Sequence, residues 1–204
     1  MTVTPVANQT GYASITLAVS DGTLSSSTAF LLTVTSNSLP PILWPIANRT
    51  IIAGATLAVA GQASDPNVPA QPLGFTLPTK PAGASINGAS GLISWRPLIA
   101  QSGTSNLFTV VVTNTASLTA TQNFWVGVIP PQRPVISAPN FVAGHFRFTI
   151  SGDAGPDYTV LSATDLAFPV WQPLATSNAP TPPFQWTDTN AGSSQIYYRV
   201  LLGP

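Results

Sequence analysis

The 204-residue chain contains no cysteine, no glutamate, one lysine (Lys80) and one histidine (His145). Without cysteine it has neither a disulfide framework nor a thiolate metal site. Glu, Lys and Met, which normally fill helix surfaces, are almost absent, whereas Thr, Val and Ser abound beside 21 Pro and 15 Gly. Because these residues suit strands and turns, we expect an all-β fold.

Charge is equally scarce. Only 6% of residues are charged and the net charge is zero, against about 25% charged residues in ordinary globular proteins. So neutral a surface argues against nucleic acid as a partner. No run approaches the roughly 18 to 20 apolar residues of a membrane helix. The first residues lack the basic start and apolar stretch of a signal peptide, so a secreted protein would be numbered here after processing or inside a longer parent.

Acid–base chemistry has few candidates. His145 is the only histidine and no G-x-S-x-G elbow is present, so serine-type catalysis lacks its base. Glycoside hydrolysis needs two carboxylates held across a sugar. The aspartates have turn interpretations instead, such as Asp21 before Gly22 and Asp65 before Pro66. We therefore predict that the chain is not an enzyme.

Residues 81–128 carry the most informative pattern, PAGASINGASGLISWRP followed by LFTVVVTNTASLTATQNFWVGV. Asn87 and Gly88 mark a turn between two short apolar runs, and Asn114 begins a turn between two longer β-rich runs. The pattern predicts strand, turn, strand and then a hairpin, with Trp95 in the core. One hairpin face should carry six apolar residues: Phe108, Val110, Val112, Phe124, Val126 and Val128.

This stretch resembles bacterial repeats of the Putative Ig or dystroglycan-type cadherin-like kind. Their hallmark is PAG-x-x-I-x-x-x-x-G-x-I-S-W-x-P, matched here by Pro81, Ala82, Gly83, Ile86, Gly91, Ile93, Ser94, Trp95 and Pro97. Asn114 stands where those repeats usually have Asp. The resemblance implies an immunoglobulin-like antiparallel β-sandwich of roughly seven strands over residues 39–131.

Residues 1–38 resemble the last two strands of the same repeat, without its earlier strands. Before the turn at Asp21, small or polar residues alternate with Ile15, Leu17 and Val19; after it, Leu31 and Thr33 alternate with Phe30, Leu32 and Val34. Burial of each contributes about 1.5 to 3 kcal/mol, and an isolated hairpin is marginal in water. The cover could come from an upstream part of a longer parent, from the central repeat folding back, or from another copy by strand addition. We favour another copy, because repetition of that contact gives a fibre.

Residues 132–204 resemble a small β-module found at the carboxyl ends of large secreted bacterial proteins. The resemblance rests on Gly155, Tyr158, Asp165, Leu166, Trp171, Tyr197, Tyr198, Arg199 and Val200, and it implies a core position for Trp171. The sequence thus predicts tandem immunoglobulin-like sandwiches in three units, residues 1–38, 39–131 and 132–204.

Calcium is the one cofactor to consider, since cadherin-like repeats often bind it at their junctions. The family's D-x-D motif appears here as Asp65, Pro66 and Asn67, and its T-D motif ends in Asn114. Both departures remove charge that a calcium site needs. Asp65, Asn67 and Asn114 remain calcium candidates, but we prefer to interpret them as hydrogen-bonded turns.

Sugar binding is the other possibility, because flat aromatic faces stack on pyranose rings. Trp44, Trp125 and Trp186 have no core role in the motifs and would form a platform if two of them shared an open face. Packing between modules is the preferred interpretation.

Together these features predict a non-catalytic, extracellular or cell-surface protein with a structural or adhesive role. The alternative is a carbohydrate-binding accessory module of a larger secreted protein. Expected partners are other copies, neighbouring modules of a longer parent, or surface glycans.

Overall fold

The computed structural model describes residues 2–6, 9–35, 38–189 and 195–204. Within them the chain is β throughout, apart from one 3₁₀ turn at Ile99–Gln101, which confirms the all-β prediction. No helix of this described part is long and apolar enough to cross a membrane. The predicted boundary between residues 38 and 39 lies within the described part, directly after residues 36 and 37, which are outside it.

The amino-terminal hairpin consists of β1 (Gly11–Ser20) and β2 (Ser25–Val34), paired antiparallel with Ile15 opposite Phe30. Because side chains alternate across a strand, this register places the predicted apolar residues on a single face. The members of that face, called here the apolar face, are Ile15, Leu17, Val19, Phe30, Leu32 and Val34.

The central sandwich follows with nine strands rather than about seven. A four-stranded sheet in the order β4-β11-β10-β7 faces a three-stranded sheet in the order β5-β9-β8, and β3 pairs with β6. The β4–β11 pairing is parallel. The strands are β3 (Ile42–Leu43), β4 (Arg49–Ile52), β5 (Leu57–Ala60), β6 (Ala63–Ser64), β7 (Leu73–Thr79), β8 (Ser85–Ile86), β9 (Leu92–Trp95), β10 (Ser105–Asn114) and β11 (Thr119–Ile129).

Aromatic rings occupy the middle of the central core. Trp95 is 1% exposed, meets Phe108 edge-on at 5.5 Å between ring centroids, and donates from Nε1 to the Ala82 carbonyl at 3.0 Å. Phe108 stacks on Phe124 at 4.9 Å. The predicted core position of Trp95 is confirmed, and the six apolar residues predicted for one face of β10 and β11 are all buried.

The carboxyl-terminal sheets have the orders β12-β13-β16 and β15-β14-β17. Between them lie Phe148, Ile150, Tyr158 and Val160. Trp171 is not among these buried residues: it is half-buried, with the Arg199 guanidinium 4.4 Å from its ring centroid. The strands are β12 (Val135–Val142), β13 (His145–Ser151), β14 (Asp157–Ala163), β15 (Gln172–Ser177), β16 (Phe184–Asp188) and β17 (Tyr197–Gly203).

Candidate assembly and binding sites

The apolar face of the amino-terminal hairpin is largely uncovered. Val19 is 70% exposed, Phe30 45% and Leu17 43%, whereas Ile15, Leu32 and Val34 are half-buried. The central sandwich therefore does not fold back over this face. Of the three possible sources of cover, the one in which the central repeat folds back is wrong. The hairpin also forms a sheet of only two strands among the described residues, so both outer edges keep unpaired backbone groups.

The turn of this hairpin is closed by Asp21. Its Oδ1 accepts hydrogen bonds from the backbone N–H groups of Leu24 at 2.8 Å and Thr23 at 2.9 Å. The bonds from Leu24 and then Thr23 lower the pKa of Asp21 to about 2. The carboxylate therefore serves the turn, as the sequence predicted.

The three calcium candidates meet at one place, around the carbonyl of Leu39. Asp65 Oδ1 accepts from the Asn67 backbone N–H at 2.9 Å and from Asn67 Nδ2 at 2.8 Å, and Asp65 Oδ2 accepts from Asn114 Nδ2 at 3.1 Å. Both amide groups also donate to the Leu39 carbonyl at 2.9 Å. The two side-chain NH₂ groups thus lie between the oxygens that a cation would need. We call these four residues the Leu39 cluster.

The other amide atoms fix this orientation. Asn67 Oδ1 accepts from the Leu39 N–H at 2.8 Å, and Asn114 Oδ1 accepts from Leu118 N at 3.0 Å. Burial raises the pKa of Asp65, but the donors from Gln71, Asn67 and Asn114 outweigh it and leave that pKa below its usual value. No group of three or more His, Cys, Asp or Glu side chains suited to a metal occurs in the described part of the chain.

The structure separates the three tryptophans. Trp44 is 48% exposed and Trp125 is 46% exposed, and the Trp125 backbone N–H donates to Asn48 Oδ1 at 2.8 Å. Trp186 instead packs in the carboxyl-terminal core, with its ring 5.2 Å from that of Phe148. Of these three tryptophans, Trp44 and Trp125 belong to the central sandwich and have exposed rings, whereas Trp186 does not.

One polar contact that the sequence did not reveal joins the central sandwich to the carboxyl-terminal sheets. Arg96 Nε donates to the Gly54 carbonyl at 2.6 Å, while Nη2 donates to the Gly155 carbonyl at 2.9 Å and to Asp157 Oδ1 at 2.8 Å. The Arg96 bonds, ahead of opposing burial, lower the pKa of Asp157. The Ile99 N–H adds a bond to the Pro204 carbonyl at 3.0 Å. Arg96 follows the Ser94-Trp95 motif, but its partner lies 61 residues away.

Known structures resemble the chain at low similarity. The Sidekick-1 immunoglobulin domains 1-5 are 12% identical with a TM-score of 0.46, over 97% of this chain and 46% of theirs. The Protocadherin Gamma B7 cadherin domains 1-4 are 12% identical with a TM-score of 0.40, over 96% and 57%. The endo-fucoidan hydrolase MfFcnA4 of glycoside hydrolase family 107 is 16% identical with a TM-score of 0.39, over 76% and 27%. The chain thus spans less than two thirds of each.

No curated protein sequence matches the chain. A family model does match its middle part, and the matched residues coincide with the central sandwich. Residues 40–129, which contain β3 to β11 and the buried Trp95, match the family described as Putative Ig domain and form an immunoglobulin-like repeat.

Proposed function

We propose that the chain is a non-catalytic, extracellular structural or adhesive protein built of immunoglobulin-like units, residues 1–38, 39–131 and 132–204. Its amino-terminal hairpin is the assembly element, and it receives its missing strands from a neighbouring copy or a neighbouring module. The observation that carries this proposal is the uncovered apolar face, on which Leu17, Val19 and Phe30 are each more than two-fifths exposed.

Two physical arguments support assembly through the hairpin. Each apolar side chain of the face contributes about 1.5 to 3 kcal/mol when it is buried. The two open edges offer backbone donors and acceptors to an added strand. Where a neighbouring copy supplies the strands, the contact is head-to-tail, and because such contacts need not close, its repetition gives a fibre.

The structural uses of the acid–base groups among the described residues support the non-catalytic role. His145, half-buried at the start of β13, is the only histidine in the chain. Three of the carboxylates take part in structural contacts: Asp21 in its turn, Asp65 in the Leu39 cluster and Asp157 in the Arg96 pair. Each therefore has a structural use.

The test compares the full chain with a chain that begins at Ser38, by light scattering, electron microscopy and amide exchange. If the full chain associates and the shorter chain does not, a neighbouring copy supplies the strands, and we expect fibres to be visible by microscopy. Monomers whose hairpin amides exchange freely support the neighbouring module. Monomers with strong protection at residues 15–19 and 30–34 would show that the hairpin is satisfied within its own chain, and would overturn the proposal.

Carbohydrate binding is a second candidate, favoured by the open rings of Trp44 and Trp125. Aromatic faces of this kind stack on sugar rings. We expect any specific glycan signal of the wild type on an array to be lost in Trp125→Ala and kept in Trp171→Ala, whose ring is engaged by Arg199. Silence on every glycan removes this candidate.

A further inference from the structure

The amino-terminal hairpin repeats the geometry of the hairpin formed by β10 and β11. In the first hairpin Ile15 lies opposite Phe30 and Leu17 opposite Thr28. In the second, Phe108 lies opposite Phe124 and Val110 opposite Gln122. The two antiparallel ladders therefore have the same register, with an apolar pair followed by an apolar–polar pair on the same face.

The turns are similar, although the second, at residues 114–118, is one residue longer than the first, at residues 21–24. Asp21 N donates to the Leu24 carbonyl at 3.2 Å, and Asn114 N donates to the Leu118 carbonyl at 3.0 Å. The side-chain Oδ1 of each residue accepts backbone N–H groups from the same turn. Asp21 thus occupies in the first hairpin the place that Asn114 occupies in the second.

What differs between the two hairpins is their cover. In the central sandwich, β10 and β11 are flanked by β7 and β4 and faced by the sheet that carries Trp95. Phe108, Phe124 and Val126 are completely buried there. Around β1 and β2 none of these neighbours is present among the described residues, and Val19 and Phe30 are exposed.

Contact area argues against two hairpins covering each other. Strands of ten residues make a face of roughly 33 by 10 Å, so two faces packed together would bury about 660 Å² in total. Stable specific interfaces bury about 1,200 Å² or more. A partner that supplies flanking strands as well as a facing sheet reaches that range.

We infer that the partner of the hairpin is the open part of an immunoglobulin-like sandwich, equivalent to β3 to β9, that lacks its own closing hairpin and places a tryptophan against Ile15. This inference rests on the proposed function and selects between its two sources of strands. An intact copy of the chain does not offer that position, because β10 and β11 already fill it.

The experiment supplies the partner within one chain. Residues 40–103 are duplicated and joined directly to Gly11, so that the added segment precedes β1 as its original precedes β10. Hydrogen exchange is read at dilute, monomeric concentration. We expect the amides of residues 15–19 and 30–34 to exchange about 100-fold more slowly than in the parent chain. Trp95→Ala in the added segment alone should remove that protection, as should Leu17→Lys, whereas Thr16→Lys on the opposite face should keep it.

Two results would overturn the inference. One is a fused chain in which the hairpin amides still exchange freely while those of Phe108 and Val110 stay protected. The other is fibre formation by the unmodified chain with β10 and β11 still protected, because intact copies would then be the partner. The second result leaves assembly through the hairpin standing, whereas protected monomers of the unmodified chain would end both proposals.

Discussion

Two tryptophans on the two facing sheets of the central sandwich show how position decides the role of a residue. Trp95 on β9 points into the core, where its ring meets Phe108 and its Nε1 has a carbonyl partner. Trp125 on β11 lies between the buried Phe124 and Val126 and points outward. Strand alternation with Phe124 and Val126 indicates the outward orientation of Trp125, whereas the core position of Trp95 was predicted from its place in the repeat motif.

Truncation of the buried ring should be costly. We expect Trp95→Ala to reduce the free energy of unfolding by about 3 to 5 kcal/mol, because it leaves a cavity in a close-packed core. Chemical denaturation measures the change. Trp125→Ala is the matched control and should change stability by about 1 kcal/mol or less, since nearly half of that side chain is already in solvent. Equal losses in the two variants would contradict the assignment.

At the scale of elements, the Leu39 cluster ties three loops together through amide hydrogen bonds. Asp65 follows β6, Asn114 ends β10, and Leu39 precedes β3. Amide donors take the place of positive charge, because each NH₂ group bonds both to the carboxylate of Asp65 and to the Leu39 carbonyl. The cluster thus holds the start of the central sandwich against the turn between β10 and β11.

From this arrangement we expect that the stability of the protein does not depend on calcium. A chelator should leave the melting temperature of the wild type nearly unchanged, and a drop of more than about 5 °C, roughly 1 kcal/mol, would reveal a site. Asn114→Asp should lower stability by about 1 to 3 kcal/mol, because it removes two donated bonds and sets a second carboxylate beside Asp65. Asn123→Asp, on an exposed strand position, is the control. Equal stability of the two variants would contradict the proposed role of the amide.

The two hairpins show what a strand pattern predicts and what it does not. Alternation identified the apolar faces of β1–β2 and of β10–β11 equally well. Only the structure shows that one face is buried and the other open, because cover comes from strands distant in sequence.

At the scale of the whole molecule, the joint between the central sandwich and the carboxyl-terminal sheets rests on close backbone approach. A Cβ built on Gly155 would lie 2.6 Å from Ala55 Cβ, and one on Gly54 would lie 2.7 Å from Pro156 Cα. Arg96 then bridges the same segments through Asp157.

Substitution at this joint should therefore do more than strain a turn. We expect Gly155→Ala to destabilise the chain more than Gly144→Ala, although both glycines have positive φ, of 114° and 80°. The added Cβ at Gly155 meets backbone, whereas at Gly144 it meets open space. The extra cost should be about 1 to 3 kcal/mol. Chemical denaturation measures this difference in stability, and amide exchange of Ile99 probes the joint locally. Equal losses of stability in the two variants would show that the joint rearranges to accept the added Cβ.

Local physical chemistry in the sequence determined the all-β class, the strand alternation and the turn roles of Asp21 and Asp65, since each depends on neighbours within a few residues. Tertiary structure alone decided the rest. The Leu39 carbonyl orients the amides of Asn67 and Asn114. Arg96 forms its ion pair with Asp157, and the half-buried Trp171 ring lies against the guanidinium of Arg199. These contacts join residues that are 28 to 75 positions apart in the chain, and no periodicity encodes which distant strands will meet.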